Sequence, residues 1–421
     1  MTNSGQHRSR TRNVNSWLAT SALAIVIVFV LTGLSTQTAQ AQTYQVIHKF
    51  AEMGSDGYQP MAGLAIDAAG NLYGTTDEDL YGYDGTVFRL APKGQGWVFT
   101  TLHRFKGGSH DGTFPQAPVV FGPDGGLYGV TTGGGAYGNG VVFNLRPPAR
   151  ACQTALCPWT LSVLYNFNSY IAWDAFGALL FDAAGNIYGT TAQGGDNYGV
   201  LYELSPYNGS WTFTTLHTFA KDGTEGRPYA GVISDQAGNL YSTAAYTAYE
   251  FTTSGQFQVL HYFKGNDGVN ALEQPILDSA GNLYGTTSDG GPGGNGTVWE
   301  LSPGSGGWTL TTLHSYSGSC NGEFIGSASM SSDGKGNIYG TDYCGGAYGW
   351  GAIFKLTPSD GGWTYTSLHD FCAGGYPCTD GCLPQSNVVF DRVGNLYGTA
   401  SGCGDNGDGE YGPGVVWEIT P

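Results

Sequence analysis

The sequence predicts an all-β protein, a seven-bladed β-propeller whose four-stranded blades are closed by an N-terminal strand that joins the C-terminal blade. Three observations lead to this prediction. Gly supplies 70 of the 421 residues, while Phe, Trp and Tyr together supply 57, so turn formers are abundant and the aromatic surface suffices for a packed core. One motif recurs seven times along the chain. The two chain ends also match different parts of that repeat.

The repeat is marked by the string Gly-Asn-Leu-Tyr or a close variant. Its copies follow one another at intervals of 43 to 60 residues, which is the length of one small sheet rather than of a domain. They end at Tyr73, Tyr128, Tyr188, Tyr241, Tyr284, Tyr339 and Tyr397. Because the copies fill residues 42–421, we predict a single propeller domain over that range.

Each copy contains four strand-like runs separated by turns. The first is a short apolar run, such as residues 63–66, that ends at an Asp. The turn Asp-x-x-Gly-Asn then supplies a side chain that binds nearby backbone and two residues that accept positive φ. In the fifth copy the remaining runs span 283–287, 297–301 and 308–316. We interpret the four runs as antiparallel strands of one sheet.

The fourth run indicates why the copies pack together. In the third copy an aromatic face alternates with a polar one: Trp211, Phe213, Thr215, His217 and Phe219 against Thr212, Thr214, Leu216 and Thr218. A lone four-stranded sheet cannot bury such a face, so neighbouring copies must stack. Residues 44–50 match a fourth run and 415–421 match a third run, so the N-terminal strand is predicted to complete the last blade.

Residues 1–41 are predicted to be an export signal. Arg8, Arg10 and Arg12 precede an apolar run at 18–34, and Ala39-Gln40-Ala41 has the small-x-small form of a cleavage site. The alternative is that this segment remains uncleaved and anchors the protein in a membrane. Either outcome places residues 42–421 outside the cytoplasm, secreted or in the cell envelope.

The eight cysteines are predicted to form disulfides in that oxidising compartment: Cys152, Cys157, Cys320, Cys344, Cys372, Cys378, Cys382 and Cys403. Cys152 and Cys157 flank a short insertion and are expected to close it. Cys320 and Cys344 lie in loops that emerge on the same face of the propeller, so a disulfide between them is possible. Cys403 is expected to form a disulfide with a cysteine of the 372–382 loop. Zinc at Cys378 and Cys382 is the alternative, although zinc sites usually contain CxxC pairs, and we predict no metal site.

In the segment Asp67-x-x-Gly70-Asn71-Leu72-Tyr73-Gly74-Thr75 and its copies, the chain resembles the bacterial choice-of-anchor tandem-repeat (GloVer-type) proteins. The resemblance covers essentially all of residues 42–421. It implies an exported, propeller-shaped protein and specifies no reaction. Members of that family vary in their anchoring segment, which is often C-terminal, and none is expected here because the chain ends at Pro421.

Two repeated polar residues are interpreted as structural. Six copies carry His at one position of the fourth run, with Tyr165 in the seventh: His48, His103, His217, His261, His314 and His369. Each lies in a different blade, so they cannot converge on one metal or catalytic site. We expect them to hydrogen-bond within their blades to the repeated Asp or Thr, by analogy with tryptophan-aspartate propellers. The repeated aspartates are expected to form turns: Asp67, Asp182, Asp235, Asp278, Asp333 and Asp391.

The candidate ligand site lies in the loops of one propeller face, where the copies differ. The predicted ligand-binding residues are Tyr81, Tyr83, Tyr137, Tyr198, Asp289, Tyr348, Trp350 and Tyr411. Such rings and acids suit a polysaccharide or a cell-surface protein, whereas the alternative is that the rings only cover neighbouring loops. Asp405, Asp408 and Glu410 hint at a Ca²⁺ loop but lack the twelve-residue ligand pattern, and no other cofactor is expected.

The charge balance and the motifs of the chain exclude several classes of ligand and activity. Sixteen Lys and Arg against 33 Asp and Glu argue against nucleic acid, and export argues against nucleotides. The innermost runs hold mainly small residues, with only Glu273 and Asn387 standing out, and no catalytic residue is predicted. We predict a non-enzymatic binding module whose only membrane contact would be an uncleaved N-terminal segment. The alternatives are a glycoside hydrolase or polysaccharide lyase, and a purely structural envelope protein.

Overall fold

The computed structural model describes residues 1–2, 42–51, 56–78, 84–148, 159–195, 198–317, 330–343, 345–375, 377–404 and 412–421. The predicted export signal lies outside these residues. A compact unit spans Thr43–Thr420 and consists of seven four-stranded antiparallel sheets. Over the described ranges, no helix has the length and apolar character needed to cross a membrane.

Thirty strands follow one another in the described part of the chain. The first strand is β1 (Thr43–Lys49). Blades 1 to 3 contain β2 (Ala65–Ile66), β3 (Leu72–Thr76), β4 (Thr86–Lys93), β5 (Gly96–Arg104); β7 (Val120–Phe121), β8 (Leu127–Val130), β10 (Val141–Arg146), β11 (Thr160–Asn166); β12 (Leu180–Phe181), β13 (Ile187–Thr191), β14 (Val200–Tyr207) and β15 (Ser210–Thr218). A small additional pair in blade 2 consists of β6 (Gly112–Thr113) and β9 (Gly133–Gly134).

Blades 4 to 7 repeat the same arrangement. Their strands are β16 (Ile233–Ser234), β17 (Leu240–Ala244), β18 (Thr247–Phe251), β19 (Phe257–Tyr262); β20 (Ile276–Leu277), β21 (Leu283–Thr287), β22 (Thr297–Gly304), β23 (Gly307–Ser315); β24 (Met330–Ser332), β25 (Ile338–Asp342), β26 (Ala352–Ser359), β27 (Gly362–Asp370); β28 (Val389–Phe390), β29 (Leu396–Ala400) and β30 (Val415–Thr420). The one helical segment in the described ranges is a 3-10 turn at Gly265–Asp267.

The last blade contains both ends of the folded unit. β1 pairs with β30 in antiparallel register from Thr43 opposite Thr420 to Lys49 opposite Val415, so the sheet order is β28, β29, β30, β1. This confirms the predicted seven-bladed propeller and its closure by the N-terminal strand. Without β1, one edge of β30 would expose unpaired backbone groups.

Third strands are longer than the sequence predicted. β22 continues past Leu301 through Pro303 to Gly304, although Pro lacks an N–H for the ladder. The pairing explains this difference. β21 begins at Leu283, opposite Leu301, and does not extend beyond it. Pro303 therefore has a partner only on the β23 side, where it lies opposite Trp308. At that point the missing N–H costs no ladder hydrogen bond.

The strict two-face alternation predicted for the fourth strands is interrupted by a β-bulge in every blade. In blade 3 the register shifts between Leu201 and Tyr202, which leaves Leu216 as the extra residue of β15. The bulged residues are Ile47, Leu102, Leu164, Leu216, Leu260, Leu313 and Leu368. Each packs in or against a hydrophobic cluster. The bulge re-aims the strand end so that Leu216 and His217 are both partly buried.

The repeated aspartates form turns, as predicted. Asp67 Oδ1 accepts the backbone N–H groups of Ala69 and Asn71 at 2.9 Å each, while Oδ2 accepts hydrogen bonds from the Asn71 side chain and the Tyr73 hydroxyl. Burial alone would raise the pKa of Asp67, but these hydrogen bonds outweigh burial and hold the pKa below its ordinary value.

Adjacent blades are joined by threonines of the second strands. The Oγ1 atom of each donates to a backbone carbonyl of the next blade, just before its first strand. The hydrogen bonds are Thr75 to Ala117 (3.2 Å), Thr190 to Ala230 (2.6 Å), Thr243 to Glu273 (2.9 Å), Thr341 to Ser386 (2.9 Å) and Thr399 to Ala62 (3.1 Å). The last of these joins blade 7 to blade 1 and so completes the ring.

We expect Thr190→Val to lower the free energy of unfolding by about 1–3 kcal/mol, because the buried Ala230 carbonyl would lose its side-chain donor. The shape of the side chain is nearly unchanged, so packing contributes little to the effect. Urea denaturation of residues 42–421 measures the change. Thr212→Val is the matched control, because Thr212 is exposed on the outer strand. Equal losses for the two variants would contradict this role of the threonines.

The hydrophobic core lies between the blades. One cluster combines Tyr241 and Ala248 of blade 4 with Leu283, Trp299 and Leu301 of blade 5. Trp299 has no solvent exposure. Each blade therefore buries its apolar face against a neighbour, which is the stacking that the aromatic fourth strands predicted.

Candidate functional site

Strand direction divides the propeller into two ends. The first strand of a blade starts, and the fourth strand ends, at the same end, where the loops between the second and third strands also lie. We call this end the loop face. The turns made by the repeated aspartates, such as Asp67, lie at the opposite end.

The repeated histidines lie near the loop face and bind acids in the crossover to the next blade. His Nε2 lies 3.1–3.2 Å from a carboxylate oxygen in the pairs His48–Asp56, His103–Asp111, His217–Glu225, His261–Asp267 and His369–Asp380. The expectation of partners among the repeated Asp or Thr was wrong. Those aspartates lie at the other end of the blade, and the threonines bond to neighbouring blades. The loop that follows His314 lies mostly beyond the described residues.

Four of these histidines also stack on a ring of the next blade. His217 lies parallel to Phe257 with ring centroids 3.6 Å apart. The other stacked pairs are His48–Phe99, His314–Tyr365 and His369–Tyr44. For His314, burial lowers the pKa below the ordinary histidine value. The histidines thus join neighbouring blades or crossover loops in every blade except blade 2, which supports the prediction of a structural role.

Two buried aspartates lie at the ends of second strands. Burial raises the pKa of Asp342 to about 7, against a hydrogen bond from the Gly345 N–H, and the nearby Asp370 raises it further. Burial likewise raises the pKa of Asp77 to about 6, although a hydrogen bond with Gln116 opposes the shift. Asp342 occupies the position of Thr287, whose hydroxyl bonds to Thr297 in blade 5. Because ionisation of a buried carboxyl group is unfavourable, Asp342 makes the free energy of unfolding depend on pH.

The predicted ligand-binding residues that the structure describes lie in several different blades. Tyr81, Tyr83 and Tyr411 lie outside the described residues. Tyr198 has the Arg227 guanidinium over its ring at 5.5 Å, and Trp350 packs against the core of blades 5 to 7.

Asp289, Tyr348 and Tyr137 have separate surroundings. Asp289 Oδ2 accepts hydrogen bonds from Asn270 and Ser288. Tyr348 and Tyr137 are well exposed, at 52% and 64%. Since these residues belong to different blades, they are distributed around the ring.

The described cysteines form two disulfides, Cys372–Cys378 and Cys382–Cys403. Cys403 is therefore bonded to a cysteine of the 372–382 loop. The Sγ atoms of Cys372, Cys378 and Cys403 lie within 4.8 Å of one another, but sulfurs in disulfides are not the thiolates that bind zinc. Cys152, Cys157, Cys320, Cys344 and the suggested Ca²⁺ loop residues Asp405, Asp408 and Glu410 lie outside the described residues.

The propeller channel contains a cavity at its loop-face end. Its volume is about 470 Å³, within the range of small-molecule sites. All seven blades contribute to the wall, mainly through residues that directly precede the first strands: Met61, Ala62, Gly63, Gln116, Pro118, Phe176, Gly177, Ala178, Tyr229, Ala230, Gly231, Ile233, Leu272, Glu273, Gln274, Pro275, Ile276, Met330, Gln385 and Asn387. Glu273 and Asn387, which the sequence singled out, both lie in this wall.

Two repeat positions line the cavity in each of the six blades described there. The first holds Met61, Gln116, Phe176, Tyr229, Leu272 and Gln385; the second, two residues later, holds Gly63, Pro118, Ala178, Gly231, Gln274 and Asn387. The residue between them supplies the carbonyl that accepts the threonine bond in five blades. The threonine bonds therefore fix the backbone that presents these side chains. Of the residues at these positions, only Asn387 stood out in the sequence, although the variation of both positions within an otherwise repetitive chain was a readable signal.

The wall combines rings with amides. Phe176 and Tyr229 contact each other with centroids 5.6 Å apart. Gln274 Nε2 donates to the Val232 carbonyl at 3.0 Å, which orients its side chain. Asn387 Oδ1 is buried and has no hydrogen-bond partner among the described residues. The cavity wall thus combines amide side chains with apolar ring surface.

Close approach of the inner strands explains two of the small residues in the wall. A Cβ at Gly177 would lie 2.5 Å from the backbone nitrogen of Gly231, so blades 3 and 4 meet there backbone to backbone. A Cβ at Gly63 would lie 1.9 Å from Asn387 Oδ1. Glycine at position 63 therefore leaves room for the Asn387 amide.

Several solved structures are similar to this chain at low sequence identity. The extracellular domain of a putative one-component system from B. thetaiotaomicron aligns with a TM-score of 0.51 and 13% sequence identity. The alignment covers 90% of this chain and 42% of that longer chain. A putative oxidoreductase (glucose dehydrogenase) from Thermus thermophilus aligns over 90% of this chain and 100% of its own, with a TM-score of 0.42 and 14% identity. No curated protein matches the chain.

The family model described as Gloeobacter/Verrucomicrobia repeat matches residues 245–421. These residues comprise the second half of blade 4 and blades 5 to 7. The same Asp-x-x-Gly-Asn turns recur in blades 1, 3 and 4, for example at Asp67 and Asp182. The Gloeobacter/Verrucomicrobia repeat is therefore present in residues 245–421, which confirms the family resemblance that the repeated motif predicted.

Proposed function

We propose that this chain is an exported binding module that takes a neutral, hydroxyl-rich ligand, a saccharide unit, at the loop-face end of its channel. The observation that carries this proposal is the cavity itself. Every blade contributes to its wall, and the two lining positions carry amides and rings, whereas the surrounding scaffold is repetitive. Variation confined to such positions is what a scaffold with a specific ligand requires.

The chemistry of the wall favours a saccharide. Rings such as Tyr229 stack on the apolar faces of pyranoses, and the amides of Gln116, Gln385 and Asn387 donate to and accept from hydroxyl groups. Asn387 Oδ1 is itself buried against Gly63, so this residue would meet a ligand through the rest of its amide. The net charge of −17 favours neutral over anionic sugars.

Export is supported by two features. The described cysteines are joined in disulfides, which persist in oxidising compartments. The N-terminal segment has the charged, apolar and small-residue parts of an export signal. We therefore place the binding site outside the cytoplasm, where polysaccharides are available.

A glycan panel tests the proposal. Residues 42–421 are titrated by calorimetry with cello-, manno-, xylo- and chito-hexaose, and the best ligand is then titrated against Tyr229→Ala and Asn387→Ala. We expect each variant to weaken binding about tenfold or more, which corresponds to about 1.4 kcal/mol. Gln258→Ala is the control, because Gln258 is exposed on the outer strand β19. Unchanged affinity in both channel variants, or no binding to any sugar, would refute the proposal.

A second candidate is a carbohydrate-active enzyme, which the carboxylate of Glu273 in the cavity wall favours. A hydrolase that uses two carboxylates would need a second acid in addition to Glu273. Product analysis on the same panel separates the two functions. Products that disappear in Glu273→Gln while binding persists would establish the enzyme, whereas retention without products supports the binding module.

A further inference from the structure

Blade 2 departs from the repeat at the loop face. In the five described pairs, a histidine at the end of the fourth strand binds an acid of the crossover loop, as His217 binds Glu225. In blade 2, Tyr165 replaces the histidine. The acid in the crossover that follows, Asp174, accepts a hydrogen bond from Gln193 Nε2 at 2.8 Å instead. This sector therefore lacks the His–acid pair that braces the other described crossovers.

A surface cleft occupies the same sector. It has a volume of about 460 Å³, and its lining comes from the second loop of blade 2 and from the crossover to blade 3: Tyr137, Asn139, Asn168, Ser169, Tyr170 and Ile171. Tyr170 is 88% exposed and Tyr137 is 64% exposed. Two exposed rings that line one cleft form an apolar surface of the kind that ligands cover. Every lining side chain is uncharged.

The backbone that carries these rings is held in place. Asn168 Oδ1 accepts the N–H groups of Tyr170 at 3.2 Å and Ile171 at 3.1 Å. Asn139 Nδ2 donates to the Tyr137 carbonyl at 3.1 Å. Asn166 Oδ1, next to Tyr165, accepts the Ala136 N–H at 2.8 Å. Because the asparagines fix both loops locally, a ligand would meet a partly ordered cleft and pay less ordering entropy.

We propose that this cleft is a second saccharide site, which binds one neutral pyranose residue of a polysaccharide independently of the channel. The tyrosine rings supply stacking surface, while Asn139 Oδ1, Asn168 Nδ2 and the Ser169 hydroxyl supply hydrogen-bonding groups at its edge. A neutral cleft of this size suits a sugar ring better than a charged peptide or a nucleotide. A polymer that reached both sites would be held by avidity.

The test compares cleft and channel variants of residues 42–421. Binding of cello-, manno-, xylo- and chito-hexaose is measured by saturation-transfer NMR and calorimetry for wild type, Tyr170→Ala, Tyr137→Ala and Asn387→Ala. We expect wild type to bind two hexaoses. The tyrosine variants should lose at least tenfold in affinity at one site and retain the channel site. Tyr207→Ala is the matched control, because Tyr207 is 67% exposed at the opposite end of blade 3.

The outcomes separate the two proposals. Loss of one site in the tyrosine variants and of the other in Asn387→Ala supports both. If channel variants bind as wild type does while Tyr170→Ala abolishes binding, the cleft stands and the channel function fails. The cleft proposal is overturned if Tyr170→Ala and Tyr137→Ala bind every hexaose with wild-type affinity and stoichiometry, or if no hexaose binds wild type. The substituted rings are exposed, so the variants should fold as wild type does, and a thermal melt checks each one.

Discussion

A variant that begins at residue 51 is expected to lose about 5 kcal/mol or more of its free energy of unfolding and to aggregate. It lacks the whole of β1, which pairs with β30 from Thr43 to Lys49. It also lacks Phe50, which is 1% exposed, and truncation of a buried Phe alone costs about 3–5 kcal/mol. The stacking of Tyr44 on His369 disappears as well. The exposed edge of β30 would then offer a template for intermolecular pairing.

Urea denaturation and light scattering measure this effect. A variant that begins at residue 42 is the control, because it removes only the predicted export signal and keeps the closing strand. A synthetic peptide of residues 42–50 should restore part of the stability when added to the truncated protein. The closure account would be wrong if the variants beginning at 42 and at 51 unfolded at the same urea concentration.

Replacing Asp342 with Asn is expected to remove a pH dependence of stability worth at most about 4 kcal/mol. Burial raises the pKa of Asp342 to about 7 in the folded protein, whereas an unfolded Asp titrates near 3.9. Between these values the folded chain retains a proton that the unfolded chain has released. The contribution to stability is therefore complete below about pH 4 and is lost as pH rises toward about 7. Asn carries no titrating proton and still accepts from the Gly345 N–H.

Urea denaturation from pH 4 to pH 8 checks the sign as well as the size. The stability of Asp342→Asn relative to wild type should increase with pH over this range. Asp222→Asn should leave the pH dependence over this range nearly unchanged, because hydrogen bonds from Thr224 lower the pKa of Asp222 and its titration lies below pH 4. A relative stability of Asp342→Asn that stays flat with pH would show that Asp342 is ionised in the folded state at low pH.

The fold could be predicted from the sequence because every feature of the repeat indicates the same four-stranded blade. The Asp-x-x-Gly-Asn turn, the strand lengths and the aromatic fourth strand all agree, and the offset ends identified β1 as the missing strand of blade 7. The fourth-strand bulge was missed because Leu216 and His217 are adjacent in sequence, and strict alternation places only one of them inward.

The candidate sites were harder to predict. The acid that binds each histidine follows it at a separation of 6 to 11 residues, so no fixed spacing marks the pair. The channel residues precede the first strands and converge only when seven blades close into a ring. Sequence reasoning favoured the larger loops instead. Among the predicted loop residues that the structure describes, only Tyr137 lies in either of the two cavities proposed here as saccharide sites.

The most direct measurement is a crystal structure of residues 42–421 soaked with the hexaose that binds most tightly. Our account predicts saccharide density at the loop-face end of the channel, with a sugar ring on Tyr229 and hydroxyls within hydrogen-bond distance of the amides of the wall, such as Gln385. A saccharide bound with an empty channel, for example on the outer strands or at the end formed by the aspartate turns, would contradict the proposed function.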